Sequence, residues 1–272
     1  MTYPITTWRL LRNPNLIEGA RNMAIDEAIL RNVAAEKAPP TMRLYAWKPT
    51  LTLGRGQAIA EADQNTLRAH NIALVRRPTG GQAVFNTNEL TYSVMVSKQE
   101  PRFGQDLVES YANLSYAIVD ALQRIGVYNA KAERRAKLRA ENRQDKSQVC
   151  FEVPADYEVT VQGRKLAGHS QMRIRNGILQ HGTIPLTGDL GQISVLLHSR
   201  PDPNRVRSRT ITVRTALGYE VSWETLAQAM VEAFAAILNL HLEPGQLLPH
   251  EKSRVEQLLA EKYANPEWTA RI

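Results

Sequence analysis

A single cysteine, Cys150, is the residue with the greatest chemical potential in this 272-residue sequence. A cysteine attacks as its thiolate, which needs a nearby positive charge or a general base to form at neutral pH. Because transfer of an acyl group between two sulfur atoms is nearly neutral in energy, such a cysteine suits a thioester substrate. The alternative is an inert thiol in the core, which is the commoner state of an isolated cysteine. One cysteine also excludes an internal disulfide and a thiolate-cluster metal site.

Lys165 is a second candidate catalytic residue and lies in the segment Gly163–Gln171 (GRKLAGHSQ). The segment follows a predicted hairpin turn, which puts Lys165 near the start of a strand and Gly168 at its end. A lysine in a partly desolvated site can lower the pKa of a thiol through its charge, or relay protons. The alternative is a solvated hairpin lysine. His169 and His181 are rival bases, ranked below Lys165 because a histidine on a strand more often satisfies a local hydrogen bond.

A third candidate for the functional site is the turn at Pro78–Gly81, which directly follows Arg76 and Arg77. The paired glycines Gly80 and Gly81 let the backbone approach a ligand closely and direct N–H groups at a carbonyl or an anion. We therefore predict a binding loop. A tight hairpin turn with exposed arginines is the alternative interpretation.

The elements that must position these residues alternate between helical and strand patterns, which predicts an α/β (α+β) fold with a mixed β-sheet flanked by helices. We predict a domain over residues 1–221 and a short C-terminal helical appendage over residues 222–272. Predicted helices are Asn22–Val33, Ala62–His70, Tyr111–Ile125, Trp223–Leu238 and Pro249–Tyr263; predicted strands are Thr41–Trp47, Thr50–Leu53, Ile72–Arg76, Ala83–Phe85, Leu90–Val96, Tyr157–Val161, Lys165–Ala167 and Ile178–Pro185.

The formal charge of +7 predicts an acidic partner, which could be nucleic acid, an anionic membrane surface or an acidic carrier protein. Much of the excess charge lies in Lys131–Lys146, where seven basic residues outnumber three acidic ones. We interpret this segment as mobile and solvated. Met1–Leu16 lacks the pattern of a secretory signal, and no apolar run reaches the roughly 18 residues that span a bilayer, so we predict a cytoplasmic protein.

Five ordered segments resemble the lipoate and biotin protein ligase superfamily, and most closely its octanoyltransferases. The resemblance extends from about Thr7 to Trp268, and five segments in order are far more specific than any one of them. One departure is His169, where many relatives have a smaller residue. The segments are Asn22–Ala28 (NMAIDEA), Arg76–Gly81 (RRPTGG), Cys150, Gly163–Gln171 and Leu179–Thr183 (LQHGT).

The resemblance implies a biotin/lipoate protein ligase-like catalytic domain that holds the acyl group in a tunnel beneath the glycine loop. It implies that Cys150 forms an acyl-thioester and that Lys165 lowers the pKa of this thiol. Backbone N–H groups at a turn at Gly168 and His169 would seat the carbonyl. The substrate-binding residues that it implies are Arg76, Arg77, Gly80, Gly81, Gly168, His169 and His181.

The resemblance also implies the reaction and its partners. Octanoyl would pass from octanoyl-acyl carrier protein to Cys150, and then to a lysine of a lipoyl domain or of the glycine cleavage H protein, with Lys165 accepting the proton of the amine. Because conversion of a thioester to an amide is downhill, neither ATP nor another cofactor is expected. We predict that Lys131–Lys146 docks the acidic carrier, and that the protein is a monomer.

Three alternatives remain. An ATP-dependent lipoate ligase would bind lipoyl-adenylate at the same loop, use Lys165 to hold its phosphate and need no cysteine. An amidotransferase would take octanoyl from the glycine cleavage H protein. A nucleic-acid-binding module is disfavoured, because the sequence has no helix-turn-helix segment ahead of the catalytic region and no basic stretch interleaved with aromatic residues. We expect no bound metal, because the histidines are scattered.

Overall fold

The structure is a computed structural model that describes residues 3–104, 107–133 and 157–272. Cys150 and the larger part of Lys131–Lys146 lie outside the described residues. A large mixed sheet has helices packed on both faces and a smaller sheet beside it, which confirms the α/β (α+β) class.

Eleven strands in the described residues form the two sheets. They are β1 (Thr6–Ile17), β2 (Thr41–Trp47), β3 (Thr50–Leu53), β4 (Ala73–Arg76), β5 (Val84–Asn86), β6 (Glu89–Ser97), β7 (Ala130–Glu133), β8 (Glu158–Val161), β9 (Arg164–Arg173), β10 (Gly177–Pro185) and β11 (Leu240–Pro244).

The five predicted helices are present, and the described residues contain three short α-helices that were not predicted, at Pro203–Arg209, Val213–Leu217 and Pro266–Ala270. There are also short 3₁₀ turns at Ile59–Glu61, Pro101–Phe103 and Leu190–Leu196 and a π turn at Leu259–Tyr263. The α-helices are α1 (Gly19–Ala34), α2 (Gln64–Ala69), α3 (Leu107–Arg124), α4 (Pro203–Arg209), α5 (Val213–Leu217), α6 (Trp223–Leu238), α7 (Pro249–Leu258) and α8 (Pro266–Ala270).

The central sheet has the order β11-β1-β2-β6-β10-β9-β8-β7, and β4-β3-β5 form the small sheet. β1 runs parallel to β2 and β11, and the other neighbours in the central sheet are antiparallel. The β8–β9 connection is a two-residue turn in which Gln162 and Gly163 both have positive φ, as the turn preferred by twisted hairpins requires. This turn fixes where Lys165 enters its strand.

One face of the central sheet packs against α3 and α6 and is apolar. Alternate side chains of the middle strands point to this face, because successive residues of a strand alternate sides. Met42, Tyr92 and Val94 are fully buried there, in one cluster with Phe234 of α6 and Ile118 of α3. This face is the larger core of the protein.

The opposite face carries α1 and is more polar. Arg43 of β2 pairs with Ser93 of β6, Ser93 pairs with His181 of β10, and His181 pairs with Ser170 of β9. These four residues form a row across four strands, which we call the polar row. α1 crosses this face and brings Asp26 to it.

β2 has the predicted bounds, and all seven of its residues are buried, because the sheet is covered on both faces. Two expectations were wrong in detail. β9 continues to Arg173, so Gly168 and His169 lie in the middle of a strand and not at a turn. Lys131–Glu133 belong to β7, paired with β8, and not to a mobile segment.

The segment after residue 221 contains both predicted helices, Trp223–Leu238 and Pro249–Tyr263, the second of which ends in the π turn. It also supplies β11, which pairs with β1 at the edge of the central sheet. Helix α6 packs on α3 within the larger core. A boundary between domains at residues 221 and 222 stays a prediction.

Candidate active site

Asp26 of helix α1 contacts the polar row. Its side chain is fully buried and accepts hydrogen bonds from Arg43 (2.8 Å), Ser93 (2.9 Å) and Tyr45 (2.9 Å). Nδ1 of His181 lies 3.7 Å from Oδ2 of Asp26, too far for a hydrogen bond but within electrostatic reach. Burial alone would raise the pKa of Asp26, but His181 and Arg43 lower it below its ordinary value. Asp26 is therefore a buried carboxylate that stays ionised.

A chain of hydroxyl groups continues from His181 on the side away from Asp26. Nε2 of His181 lies 2.7 Å from Oγ1 of Thr79, which itself accepts a hydrogen bond of 2.9 Å from Ser170. Because Ser170 donates to Thr79, the proton of Thr79 is available to Nε2, which leaves Nδ1–H facing Asp26. A histidine with a carboxylate facing Nδ1 and a hydroxyl group at Nε2 has an orientation suited to a general base.

A cavity lies over this part of the sheet, beneath the turn at Pro78–Gly81, and encloses about 430 Å³ of space including some open solvent. Its walls include Arg77, Gly168, Ser170, His181 and Thr183. Apolar walls and polar atoms of the polar row therefore meet in this cavity.

The glycine loop, residues Arg76–Gly81, is held in place by its own two arginines. Arg77 donates to the backbone carbonyls of Gly80 (2.8 Å) and Gln82 (2.7 Å). Arg76 is completely buried and donates to the carbonyl of Thr269 at 2.7 Å. Both arginines are buried, so the alternative of exposed arginines on a hairpin turn is wrong.

Glycine is required where the loop meets the end of β3. A Cβ atom on Gly54 would lie 1.8 Å from the carbonyl oxygen of Gly81, a distance that no side chain tolerates. Gly81 itself has φ of +90°, which glycine adopts without strain. The close approach fixes the height of the loop above the cavity.

Lys165 lies at the beginning of β9, buried, with Nζ 2.6 Å from Oε1 of the equally buried Glu158. A carboxylate at this distance stabilises the ammonium form of Lys165. Lys165 is three residues from Gly168, roughly 10 Å along the strand, and is not among the residues that line the cavity. His169 lines the cavity and packs against Tyr111, with ring centroids 4.7 Å apart.

Glu89 is a buried carboxyl group on the same face of the sheet as Thr91. Oε2 accepts a hydrogen bond of 2.6 Å from the backbone N–H of Thr87, and Oε1 has no hydrogen-bond partner among the described residues. Burial raises the pKa of Glu89 to about 8. The group is thus mainly protonated at neutral pH.

Of the predicted site residues, Arg77, Gly168, His169 and His181 line the cavity. Gly80 and Gly81 belong to the loop above it, and Arg76 ties that loop to Thr269. Their roles stay predictions, as does that of Cys150, which lies outside the described residues.

Sequence reasoning missed Asp26, Arg43, Thr79 and Ser170. Asp26 lies in Asn22–Ala28, which was noted as part of a predicted helix and as one of the five segments of the family resemblance, but without a role for Asp26. A carboxylate beside Met23 on the buried side of that helix was the available signal. Within the described parts of the chain, no group of three or more His, Cys, Asp or Glu residues could hold a metal ion, and no helix is long and apolar enough to cross a membrane.

Residues 18–235 match the family model of the lipoyl protein ligase A/B catalytic domain. The chain belongs to this family. Curated relatives include an octanoyltransferase LipM of Kyrpidia tusciae, 40% identical over 97% of this chain and 99% of that protein. Another octanoyltransferase LipM, from Bacillus subtilis, is 35% identical over 96% of this chain and 97% of that protein.

Solved structures show the same fold. A lipoate-protein ligase A bound with ATP superposes with a TM-score of 0.80 at 22% identity, covering 97% of this chain and 99% of that one. A bi-partite lipoate protein ligase, described with its E2 lipoyl domain from Thermoplasma acidophilum, has a TM-score of 0.78 at 21% identity, covering 97% of this chain and 98% of that one. At this identity the likeness concerns the fold alone. These proteins therefore share the large mixed sheet flanked by helices.

Proposed function

We propose that this protein is a cytoplasmic octanoyltransferase that moves an octanoyl group from octanoyl-acyl carrier protein to a lysine of a lipoyl domain or of the glycine cleavage H protein. The observation that carries the proposal is the 40% identity over 97% of the chain to a protein named octanoyltransferase. The cavity beneath the glycine loop supports it, because apolar walls and convergent polar atoms meet there.

The reaction proceeds in two acyl transfers. The Cys150 thiolate attacks the thioester carbonyl carbon, an S–C bond forms, and the carrier leaves as a thiolate that takes up a proton. The ε-amine of the acceptor lysine then attacks the acyl-enzyme, a C–N bond forms, and Cys150 leaves as a thiolate. Since the amide is more stable than the thioester, no ATP is consumed.

Lys165 is the group proposed to stabilise the Cys150 thiolate. Its ion pair with Glu158 keeps the buried lysine protonated, and the carboxylate also offsets part of its positive charge. A positive charge next to a thiol favours the thiolate. His181, with Asp26 behind it, is a further group on this face that could accept the proton of the attacking amine through Thr79 and Ser170.

The first test is intact-mass spectrometry of the purified protein mixed with octanoyl-acyl carrier protein in the absence of ATP. We expect a mass gain of one octanoyl group that hydroxylamine removes and that the Cys150→Ala variant does not show. No adduct, together with ATP-dependent acylation of a lipoyl domain by free octanoate, would instead assign the protein as a ligase.

The second test isolates the acyl-enzyme and adds an acceptor. A lipoyl domain should discharge the octanoyl group from Cys150 and gain its mass. The matched control is the same lipoyl domain with its target lysine replaced by arginine, which should leave the acyl-enzyme intact. Discharge to water at the same rate with both domains would contradict the proposed acceptor.

The third test concerns Lys165. Lys165→Gln should move the pH at which iodoacetamide alkylates Cys150 to a higher value, whereas Lys165→Arg keeps the charge and should move it less. An unchanged alkylation profile in Lys165→Gln, with the fold intact by circular dichroism, would remove Lys165 from this role.

A further inference from the structure

A strongly cationic cleft adjoins the candidate cavity. It encloses about 1,150 Å³ of space, including open solvent, and six cationic side chains contribute to its walls against one acidic side chain, Glu27. We call it the basic cleft. Its cations are Arg31, Arg55, Arg175, Arg254, Lys262 and Arg271.

The basic cleft and the cavity are neighbours along the same two elements. Met172 lines the cleft and Ser170 lines the cavity, two residues apart on one side of β9. Pro78 lines the cleft, and Arg77 lines the cavity. A slender ligand could therefore pass under the glycine loop with one end in each space.

Among the described residues, carboxylates neutralise only part of the positive charge of the basic cleft. Glu27 is buried and already binds Arg31 (2.6 Å) and Lys262 (2.6 Å), and it accepts a further hydrogen bond from Tyr263. Among the described residues, no carboxylate lies in ion-pair range of the other four cations. These are Arg55, Arg175, Arg254 and Arg271.

Trp268 holds two of the cations in place. Nζ of Lys262 lies 4.1 Å and the guanidinium carbon of Arg271 lies 3.9 Å from the ring centroid of Trp268, within the range of cation–π contacts. The indole N–H donates to the backbone carbonyl of Arg76 at 2.9 Å, which joins this cluster to the glycine loop. Burial lowers the pKa of Lys262, and the positive charges of Arg31 and Arg271 lower it further. The cations are thus close enough to repel one another, and an anion would relieve that repulsion.

We propose that the basic cleft binds the phosphate group of a phosphopantetheine thioester, the arm that carries the acyl group of the donor. This inference rests on the proposed function. Phosphate suits the cleft because five of its six cations are arginines, whose planar donors match phosphate oxygens. The adjoining cavity receives the thioester end of the same arm. The arm could belong to a carrier protein or to coenzyme A.

The test compares three octanoyl thioesters as donors: octanoyl-pantetheine, which has no phosphate, octanoyl-coenzyme A and octanoyl-acyl carrier protein. The cleft variant is Arg55→Gln/Arg175→Gln, which removes two exposed cations from its rim. The matched control is Arg12→Gln/Arg68→Gln, which removes two exposed arginines that bind only neutral Gln228 and Asn65. Both variants lower the net charge by the same amount.

The cleft variant should raise KM for the phosphorylated donors by roughly tenfold, about 1.4 kcal/mol, and leave KM for octanoyl-pantetheine and for the lipoyl-domain acceptor unchanged. The control should change none of these values. An equal effect on octanoyl-coenzyme A and on octanoyl-acyl carrier protein assigns the contact to the phosphate of the arm, and an effect on octanoyl-coenzyme A alone assigns it to the phosphates of coenzyme A. An effect on the carrier protein alone assigns the contact to the acidic surface of the carrier and overturns the inference.

An equal rise for octanoyl-pantetheine, a rise in KM for the acceptor instead, or no change with any donor would overturn the inference while leaving octanoyl transfer intact. If the wild type transfers octanoyl from no thioester, the proposed function fails, and calorimetric titration with phosphopantetheine decides the cleft separately. Binding by the wild type that the cleft variant loses supports the site, and equal or no binding overturns it.

Discussion

The two faces of the central sheet are built from alternate residues of the same strands, yet they are stabilised in different ways. On the face under α3 and α6, Met42, Tyr92 and Val94 are buried among apolar neighbours. On the face under α1, their sequence neighbours Arg43 and Ser93 bind the buried carboxylate of Asp26. The apolar face depends on burial and tolerates changes of shape, whereas the polar face depends on charges whose partners are fixed.

The main energetic cost of this fold lies on the polar face of the sheet. Burying an ion pair is expensive, and it is compensated only when both partners and their hydrogen bonds are present. The polar face holds the cavity and the glycine loop, so the costly arrangement coincides with the candidate active site. The apolar face contributes stability, and the residues with candidate chemical roles lie on the polar face.

The largest effect is expected from breaking the central ion pair. Arg43→Met would leave the buried Asp26 without its cation, at a cost of about 3–5 kcal/mol in the free energy of unfolding. Urea denaturation measures this cost. Adding Asp26→Asn to the same protein should recover part of it, because the unpaired charge is then absent; a double variant less stable than Arg43→Met would show that the charges are not the cause.

The second-largest expected effect is the pH dependence of stability that Glu89 causes. Burial raises the pKa of Glu89 from 4.5 to about 8, so the folded protein retains a proton that the unfolded chain releases. This contribution to stability is complete below about pH 4 and is lost as the pH rises towards 8, by about 3 kcal/mol between pH 5 and pH 8.

Glu89→Gln should remove that pH dependence, because the glutamine stays neutral. Thermal and urea unfolding at pH 5 and pH 8 measure it. The exposed Glu224→Gln variant is the control and should retain the wild-type pH dependence. A wild-type and a Glu89→Gln protein with parallel pH profiles would mean that Glu89 is ionised in the folded state.

A change at His181 is expected to lower the activity. Its effect on the free energy of unfolding should be smaller than that of the changes above. His181→Gln should lower kcat/KM about 100-fold if the residue relays a proton, with little change in the free energy of unfolding. Asp26→Asn should act through His181, so the double variant should be no slower than His181→Gln alone. Additive losses would assign the two residues to separate roles.

The smallest effect is expected directly opposite, at Met42. Met42→Leu conserves volume in the apolar core and should cost less than about 1.5 kcal/mol, with an unchanged kcat/KM. Its neighbour in sequence, Arg43, gives the largest effect in this series. A loss of activity in Met42→Leu without a matching loss of stability would show that the two faces are coupled, contrary to the comparison.

The sequence predicted the elements whose pattern is local. The apolar spacing of α3 and the paired turn residues Gln162 and Gly163 are such patterns, and both elements lie where they were expected. β1 and β11 were missed. Arg9 and Arg12 interrupt the apolar pattern of β1, and five-residue β11 is stabilised by a parallel partner more than 200 residues away.

The candidate site was predicted only in part, for the same physical reason. The loop with Arg77 and the strand with His181 could be identified from their residue types, but the polar row exists only when four strands come into register. The role of Asp26 depends on its hydrogen bonds with Arg43 and Ser93, which are 17 and 67 residues away in the sequence. No local pattern carries that information.

The hydrogen bonds from Arg76 to the carbonyl of Thr269 join the glycine loop to a segment 193 residues later. During synthesis the chain emerges from its amino end, so the loop is made long before the residue that anchors it. We expect a nascent chain that stops short of residue 269 to form the sheet but to leave its loop without this anchor. The position of the glycine loop therefore depends on a contact that can form only after residue 269 has been made.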